Sequence, residues 1–390
     1  MRLVIAHESI GTEGGVETYL LAAIQRLREV GHQIALVYYR RSTAATPLRA
    51  CAHVALGIEE RGMDAVFDEL AAWQPDVAFS HNMGPLTVDQ HLLAQWPVVK
   101  MLHGYFGTCV SGLKMHAFPS PRACDRTFGA ACLALYVPRR CGELSAGAMI
   151  RGYRWAGDQR RLFSKYARTI VASHHMRDEM LRHGAPADRL AVLPLFSTVR
   201  SEAIAPSGER DTVLFASRMT TLKGGHVLVG AAARAARLLG RPVRLIMAGD
   251  GPQKESWRSL AVSLGVPVEF TGWISLDDRR RVYARGVVAA VPSLWPEPFG
   301  LIGLDAASLG RPAIAFDVGG IREWLADRVN GLLVAPAEGE DGLARAIASL
   351  LDRPAECARM GENAFNVSRQ LSLTTHVERL ESLLRDAAAA

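Results

Sequence analysis

Val291-Pro-Ser-Leu-Trp-Pro-Glu-Pro-Phe-Gly-Leu-Ile-Gly-Leu-Asp305 is the stretch on which the reading of this chain turns. It leaves a short apolar run, Val287 to Val291, which predicts a buried parallel strand ending at Pro292. Two prolines flank Glu297 and hold it in an extended loop, because each ring fixes its own φ and disfavours helix in the residue before it. From Phe299 onward Leu301, Leu304 and Leu309 recur at helical spacing until Gly310 and Pro312 end the run. One carboxylate, Glu297, therefore precedes a helix and a second, Asp305, lies on it. The backbone N–H groups of Phe299, Gly300 and Leu301 open that helix and suit an anion. A carboxylate beside a phosphate would repel it, so Glu297 is expected to accept hydrogen bonds from hydroxyl groups. A sugar joined to a diphosphate meets both demands.

A second constellation lies upstream. Ser217-Arg-Met-Thr-Thr-Leu-Lys-Gly-Gly225 follows a predicted strand, Thr212 to Ala216, and precedes a helix. Arg218 and Lys223 in such a loop can clamp a diphosphate, one through a planar fork and the other as a point charge. Gly249-Asp250-Gly-Pro252 and Thr271-Gly-Trp273-Ile274 are further strand-end turns, and Asp317-Val-Gly-Gly320 with Glu323 follows another. No Asp-x-Asp pair occurs anywhere in the chain. Neutralisation of a diphosphate is therefore expected from Arg218, Lys223 and helix N-termini, with no metal ion and no cofactor required.

These residues resemble glycosyltransferase family 4. The run Glu297-Pro-Phe-Gly-Leu301, an acid eight residues after its glutamate, Gly310-Arg-Pro312, the later Gly-Gly and the Arg-x-x-x-x-Lys-Gly loop are similar to that family's pattern. The resemblance implies the GT-B fold, two Rossmann-like doubly wound α/β domains facing across a cleft. It implies a retaining hexosyltransferase that takes its sugar from a UDP- or GDP-linked donor. It implies that Glu297 contacts the donor sugar and that the acid at 305 contacts the ribose. Groups around Gly249, Asp250 and Trp273 would flank the base. The chain departs from the family at Asp305, where Glu is usual; the shorter side chain reaches about 1.5 Å less far.

With 390 residues, two domains are expected: 1–195 on the acceptor side, joined by a C-terminal helix at about 371–390, and 196–370 binding the nucleotide sugar. Strands are predicted at Leu3–Ala6, Ile34–Tyr38, Val77–Ser80, Val98–Leu102 and Thr169–Ala172 in the first. The second repeats the pattern at Thr212–Ala216, Val243–Met247, Val268–Phe270, Val287–Val291, Ala313–Phe316 and Leu332–Val334. Such apolar runs mark parallel sheets covered on both faces, with functional residues beyond the strand C-termini. His81 and His103 both fall there. A strand-end histidine is ordinarily structural, and His81 is read so. His103, in Leu-His-Gly-Tyr, matches the family's histidine that approaches the donor sugar. The loop from His7 to Gly15 ends in Gly14-Gly15-x-Glu17; paired glycines at a helix N-terminus either let the backbone approach a ligand closely or form a tight turn at positive φ, and the match to the family's glycine loop implies that Gly14 and Gly15 bind the donor.

The net charge is +6, and its excess is densest from Arg139 to Arg168, where eight basic residues meet only Glu143 and Asp158. No nucleic-acid motif accompanies it, so an anionic acceptor or peripheral contact with an anionic membrane is the better reading. Gly152 and Gly157 are expected to interrupt any helix there. Cys109, Cys124, Cys132 and Cys141 are separated by 14, 7 and 8 residues, without the close pair of a structural zinc site, and are read as packing an irregular insertion. The absence of a signal pattern or spanning run leads to the expectation of a cytoplasmic protein. The activity expected is transfer of a sugar to a glycan or lipid-linked acceptor in surface polysaccharide or glycolipid assembly. The alternatives are a catalytically silent nucleotide-sugar-binding partner protein, or a sugar-phosphate synthase or epimerase of similar fold.

Overall fold

A strand that is apolar at every position, not every second one, must be covered on both faces, and a parallel sheet sandwiched by helices does this. The computed structural model, which describes residues 1–11, 14–40, 47–199 and 201–389, contains two such sheets. Each lies in its own unit: residues 1–119, 124–194 and from Leu373 onward form unit 1, and 120–123 with 195–372 form unit 2.

In unit 1 seven strands, β1 (Arg2–Ser9), β2 (Gln33–Arg40), β3 (Val54–Gly57), β4 (Val77–Ser80), β5 (Val98–Leu102), β6 (Arg168–Val171) and β7 (Leu190–Val192), are arranged β3-β2-β1-β4-β5-β6-β7. Every pairing is parallel. Leu3 to Ala6 are at most 1% exposed, as strands buried on both faces require. The order reverses between β1 and β4, the place where open α/β sheets leave a crevice at their C-terminal ends. β3 and β7, both sheet edges and partly exposed, are only four and three residues long, too short to be picked out as apolar runs. The C-terminal helix Leu373–Ala389 belongs to this unit and packs on the helix Gly15–Glu29.

Unit 2 has β8 (Thr212–Ala216), β9 (Arg244–Ala248), β10 (Val268–Gly272), β11 (Val288–Val291), β12 (Ala313–Phe316) and β13 (Gly331–Val334) in the order β10-β9-β8-β11-β12-β13. Its reversal lies between β8 and β11, paired through Val213 and Val288. Both the lysine loop and the Glu297 loop leave the sheet at this point. One face is packed by the helices Gly225–Leu239 and Gly339–Asp352 around Phe215, Met247, Trp257, Phe316 and Ile347.

Two local expectations are corrected. The helix Ala146–Leu162 runs unbroken through Gly152 and Gly157. Gly152 is there because a Cβ would meet the Val110 carbonyl oxygen at 2.6 Å; the glycine admits a neighbouring backbone and does not break the helix. The helix after Glu297 starts at Leu301 and spans only Leu301–Ala307, entered through Gly300 at φ +85°, a conformation glycine adopts without steric cost.

The two glycines of Ala146–Leu162 should therefore respond oppositely. Gly152→Ala should lower unfolding stability by about 1–3 kcal/mol through overpacking. Gly157→Ala, whose Cβ would meet only Phe128 at 4.0 Å, should be neutral or stabilising by up to about 1 kcal/mol. Urea unfolding of both variants measures this; similar losses at both sites would contradict the assignment.

Candidate functional site

At the end of β8 the chain passes through Arg218 to a 3-10 turn, Thr221–Lys223, and then to Gly224 at φ +69°. A Cβ on Gly224 would sit 1.8 Å from the Pro292 carbonyl oxygen, so glycine is what lets the lysine loop lie against the loop leaving β11. Leu294 N–H donates to the Leu222 carbonyl at 2.8 Å and locks the two together. Lys223 Nζ is thereby placed 2.6 Å from Glu297 Oε1 and 4.8 Å from the centre of the Trp295 ring. The Ser293 hydroxyl donates to the same oxygen. Glu297 is only 5% exposed. From the other side Gly319, at φ +58°, leaves room where a Cβ would lie 2.2 Å from the Glu297 carbonyl oxygen. Gly320 N–H donates to that carbonyl at 2.7 Å.

A buried carboxylate is costly without partners, and here Oε1 accepts both bonds while Oε2 receives none among the described residues. That oxygen is free to take a hydroxyl hydrogen. Lys223 has three N–H donors and gives one to Glu297, leaving two for an anion. Arg218 is exposed, and its guanidinium makes no hydrogen bond or ion pair among the described residues. It lines a cavity of about 110 Å³ with Gly249, Trp273, Arg279 and Tyr283. Gly249, at φ +122°, approaches the Ser217 carbonyl so closely that a Cβ would lie 2.1 Å from it.

Not every predicted residue is aimed outward. Asp250 gives its carboxylate to Lys254, at 2.9 Å, and to its own loop at Gly251 N–H. The Phe299 ring is 1% exposed and its carbonyl accepts the Trp324 indole N–H, so Phe299 offers a ligand no side chain. Leu301 begins the short helix, and Trp273 stands 55% exposed at the cavity rim.

Asp305 is held by partners within unit 2. Its Oδ1 accepts from Thr198 N–H at 2.7 Å and from the Ser197 and Thr198 hydroxyls, and its Oδ2 accepts from the Thr198 hydroxyl at 3.0 Å. The short side chain, 3% exposed, reaches the segment that enters unit 2 and not the open end of the sheet. Arg279 Nη1 donates to the Thr198 hydroxyl at 2.9 Å and completes the network. Burial pushes the Asp305 carboxyl up from its ordinary range, and Arg279 and Thr198 oppose that shift. Both carboxylate oxygens of Asp305 are thus engaged within unit 2.

In unit 1, His103 Nε2 lies 2.9 Å from His81 Nδ1, and the Tyr19 ring stands edge-on to His103 at 5.5 Å. His81, read from the sequence as structural, is fully buried and is the partner of His103. Tyr19 OH and His376 Nε2 are 2.9 Å apart, and His376 Nδ1 lies 2.8 Å from the Pro194 carbonyl. A carbonyl only accepts, so Nδ1 carries the proton and Nε2 accepts from the tyrosine. Burial lowers His103 to about 3 and His376 to about 4, and lowers His81 well below the ordinary imidazole value. Gly14 is extended, at φ −177°, so the tight-turn reading fails. Its missing Cβ admits the Glu17 carboxylate, whose Oε1 accepts from His7 Nε2 at 3.3 Å. Gly15 has open space where a Cβ would lie. Thr12 and Glu13 of that loop lie outside the described residues.

Cys109, Cys124, Cys132 and Cys141 are free and half-buried. Burial raises Cys124 and takes Cys141 to about 11, with the other three thiols adding to the shift of Cys141; both therefore remain protonated at neutral pH. Among the described residues no three His, Cys, Asp or Glu side chains are grouped to hold a metal ion. No helix among them is long and apolar enough to cross a membrane. The basic helix turns Trp155 inward, where its indole N–H donates to the Gly84 carbonyl at 2.6 Å.

Two family models match this chain: "Glycosyltransferase Family 4" over residues 13–196 and "Glycosyl transferases group 1" over residues 199–367. Among curated proteins it is 28% identical over 249 residues to an alpha-D-kanosaminyltransferase of Streptomyces kanamyceticus, covering 60% of this chain and 63% of that one. It is 33% identical over 242 residues to a D-inositol 3-phosphate glycosyltransferase of Corynebacterium glutamicum, covering 56% and 57%. The matches thus span about three-fifths of those relatives' length. Another D-inositol 3-phosphate glycosyltransferase, of Xylanimonas cellulosilytica, is 27% identical over 395 residues, covering 92% of this chain and 88% of the relative. Among solved structures, Anabaena HepE in complex with UDP and glucose superposes with a TM-score of 0.72 at 20% identity, covering 99% of both chains. Sucrose-phosphate synthase of Thermosynechococcus elongatus gives 0.72 at 18% identity, covering 100% of this chain and 99% of that one. These likenesses show the fold, GT-B, in both units.

The buried rings set a pH dependence. In the unfolded chain an imidazole titrates near 6.5, whereas folded His103 and His376 titrate at about 3 and about 4. Between those values the unfolded chain binds protons the folded chain refuses. The stability is fully present above about pH 6.5 and is lost as pH falls, by at most about 1.4 kcal/mol per pH unit for each ring. Urea unfolding at about pH 7 and about pH 5 should show the loss; equal values would contradict neutral buried rings. For Asp305→Ala, loss of its bonds to Ser197 and Thr198 should cost about 2–4 kcal/mol of stability. Nucleotide affinity should change less than threefold, by about 0.6 kcal/mol or under; a tenfold loss of affinity in a fully folded variant would support the ribose contact instead.

Proposed function

Because this chain belongs to the glycosyltransferases of family 4, whose two domain models together match about nine-tenths of it, we propose that it transfers a sugar from a nucleoside diphosphate sugar to a hydroxyl group of a glycan or lipid-linked acceptor, with retention of configuration. The observation that carries this reading is the Lys223–Glu297 pair held at the open end of the unit 2 sheet. A cation with unused donors, an exposed arginine on the same loop and a carboxylate with one free oxygen suit a diphosphate joined to a polyhydroxy ring.

In this mechanism the bond from the anomeric carbon to the diphosphate oxygen breaks and the oxygen leaves with the electron pair. Lys223 and Arg218 stabilise the charge that gathers there, where preorganised donors act most strongly. Glu297 orients the ring through a hydroxyl and opposes the positive charge developing on it. The acceptor oxygen attacks from the face the diphosphate leaves, so configuration is retained, and the acceptor proton passes to the departing oxygen. His103, kept neutral by burial, offers a hydrogen bond and not a charge. No divalent ion has a required part, since charge on the leaving group is met by Arg218 and Lys223. UDP- and GDP-sugars are the donors to examine, and HepE of Anabaena, whose structure was solved with UDP and glucose, makes UDP-glucose the first choice.

Incubation of the protein with UDP- and GDP-sugars and a panel of glycan and lipid-linked acceptors should yield an extended acceptor with the donor's anomeric configuration, read by proton NMR. Lys223→Ala and Arg218→Ala should each reduce transfer by about 10²-fold or more. Glu297→Gln should reduce turnover more than donor affinity. Activity abolished by EDTA and restored by magnesium would contradict the metal-free part. Tight nucleotide-sugar binding with no turnover on any acceptor would favour a silent binding partner.

A further inference from the structure

Unit 1 holds a separate cavity of about 70 Å³ at the C-terminal ends of β1, β4 and β5, lined by Glu8, Asn82, Lys100, Phe106, Trp155 and Gln159 among others. That is roughly the space of two water molecules, enough for one edge of a hydroxylated ring. Its walls are built with some care. Glu8 N–H donates to the Asn82 carbonyl at 3.0 Å. Gly84 makes room for Glu8, whose two carboxylate oxygens lie 3.0 Å from where a Cβ would stand. The Trp155 indole is tied to the Gly84 carbonyl at 2.6 Å, and its ring meets Phe106 edge-on at 5.7 Å.

The hydrogen-bonding character of the lining is lopsided. Lys100 is 2% exposed, and its three N–H donors are all engaged, by Ser80 Oγ at 3.0 Å, the His81 carbonyl at 2.5 Å and Asp89 Oδ2 at 2.7 Å. Its charge is cancelled by the fully buried Asp89. The Trp155 N–H is likewise taken. Beside the Asn82 amide N–H groups, what remains among the described residues is acceptors: the Glu8 carboxylate, paired with the exposed Arg40 at 3.3 Å, and the buried Asn82 Oδ1, which has no donor among the described residues. A buried acceptor without a donor is unfavourable until something supplies one. A phosphate would bring more acceptors to a site already rich in them. A neutral sugar edge brings hydroxyl hydrogens, and its apolar face suits the aromatic wall.

We propose that this cavity is a subsite for an uncharged sugar unit of the acceptor, with hydroxyl groups donating to Glu8 and Asn82 and the ring lying against Trp155 and Phe106. It rests on the transferase reading above and adds the class of acceptor: an unphosphorylated glycan end.

Saturation-transfer NMR on the full chain tests this, with neutral methyl hexopyranosides and the same sugars carrying a phosphate as probes, and UDP and GDP titrated in parallel. At least one neutral glycoside should bind saturably, about tenfold more tightly than its phosphorylated form. Glu8→Gln should narrow that preference severalfold, and Trp155→Leu should weaken the neutral sugar, while both variants keep the wild-type circular-dichroism spectrum and urea-unfolding midpoint, which report that unit 1 is folded. Saturable binding by none of the neutral glycosides, equal or tighter binding of the phosphorylated sugars, or a preference unchanged in Glu8→Gln would each overturn the proposal. Nucleotide binding without neutral-sugar binding would remove this subsite alone, whereas absence of nucleotide binding would remove the transferase reading.

Discussion

A lysine and a glutamate 74 positions apart in sequence meet at 2.6 Å, and the arrangement of unit 2 can be understood from what that meeting requires. Removing the Glu297 carboxylate from water is costly, and losing its partner would leave a buried charge uncompensated at a cost of about 3–5 kcal/mol. The pair forms only if the loops after β8 and β11 touch. They do so because those strands are neighbours at the sheet reversal and because Gly224 and Gly319 lack side chains that would strike the backbone at Pro292 and at Glu297 respectively. Topology supplies the neighbourhood, glycine the last ångström, and Pro296 and Pro298 a stiff loop. The result is a cation and an anion held side by side, each with capacity left for a ligand.

Unit 1 uses the same topology with a different electrostatic solution. Its strand ends carry His81 and His103, which burial keeps neutral and a hydrogen bond joins, with the Tyr19 ring against His103 and its hydroxyl on His376 of the C-terminal helix, and a lysine whose charge Asp89 cancels. Among the described residues Lys100 is paired with Asp89 there and Arg40 with Glu8. Such a surface suits hydroxyl groups better than phosphates, as the exposed Arg218 and partly exposed Lys223 of unit 2 suit phosphates better than uncharged groups.

Much of this was legible from local sequence. Runs apolar at every position announce the buried strands, and prolines around Glu297 announce its loop. What failed was whatever depends on distant partners. The β3 and β7 edges are apolar but only four and three residues long, too short to stand out, and Gly152 is a glycine because of Val110, far from it in sequence. Asp305 keeps the family's spacing, yet its shorter side chain is captured by Ser197 and Thr198, which no local pattern reveals. The Lys223–Glu297 contact was invisible for the same reason, although both residues were singled out. His81 is structural, as its strand-end position suggests, but the partner it supports, His103, lies 22 positions on and one strand over.

The central claim is that Lys223, poised by Glu297, receives the diphosphate of a nucleotide. Calorimetric titration of UDP and GDP into the wild type, Lys223→Met, Glu297→Gln and the double variant tests it most directly. The account predicts that one of the two nucleotides binds the wild type and that Lys223→Met weakens it by about tenfold or more, the size expected for a charged hydrogen bond. Glu297→Gln should leave affinity equal or tighter, since it frees the lysine, and should lose that effect in the Lys223→Met background. Unchanged affinity in Lys223→Met, or no binding of either nucleotide to the wild type, would contradict it.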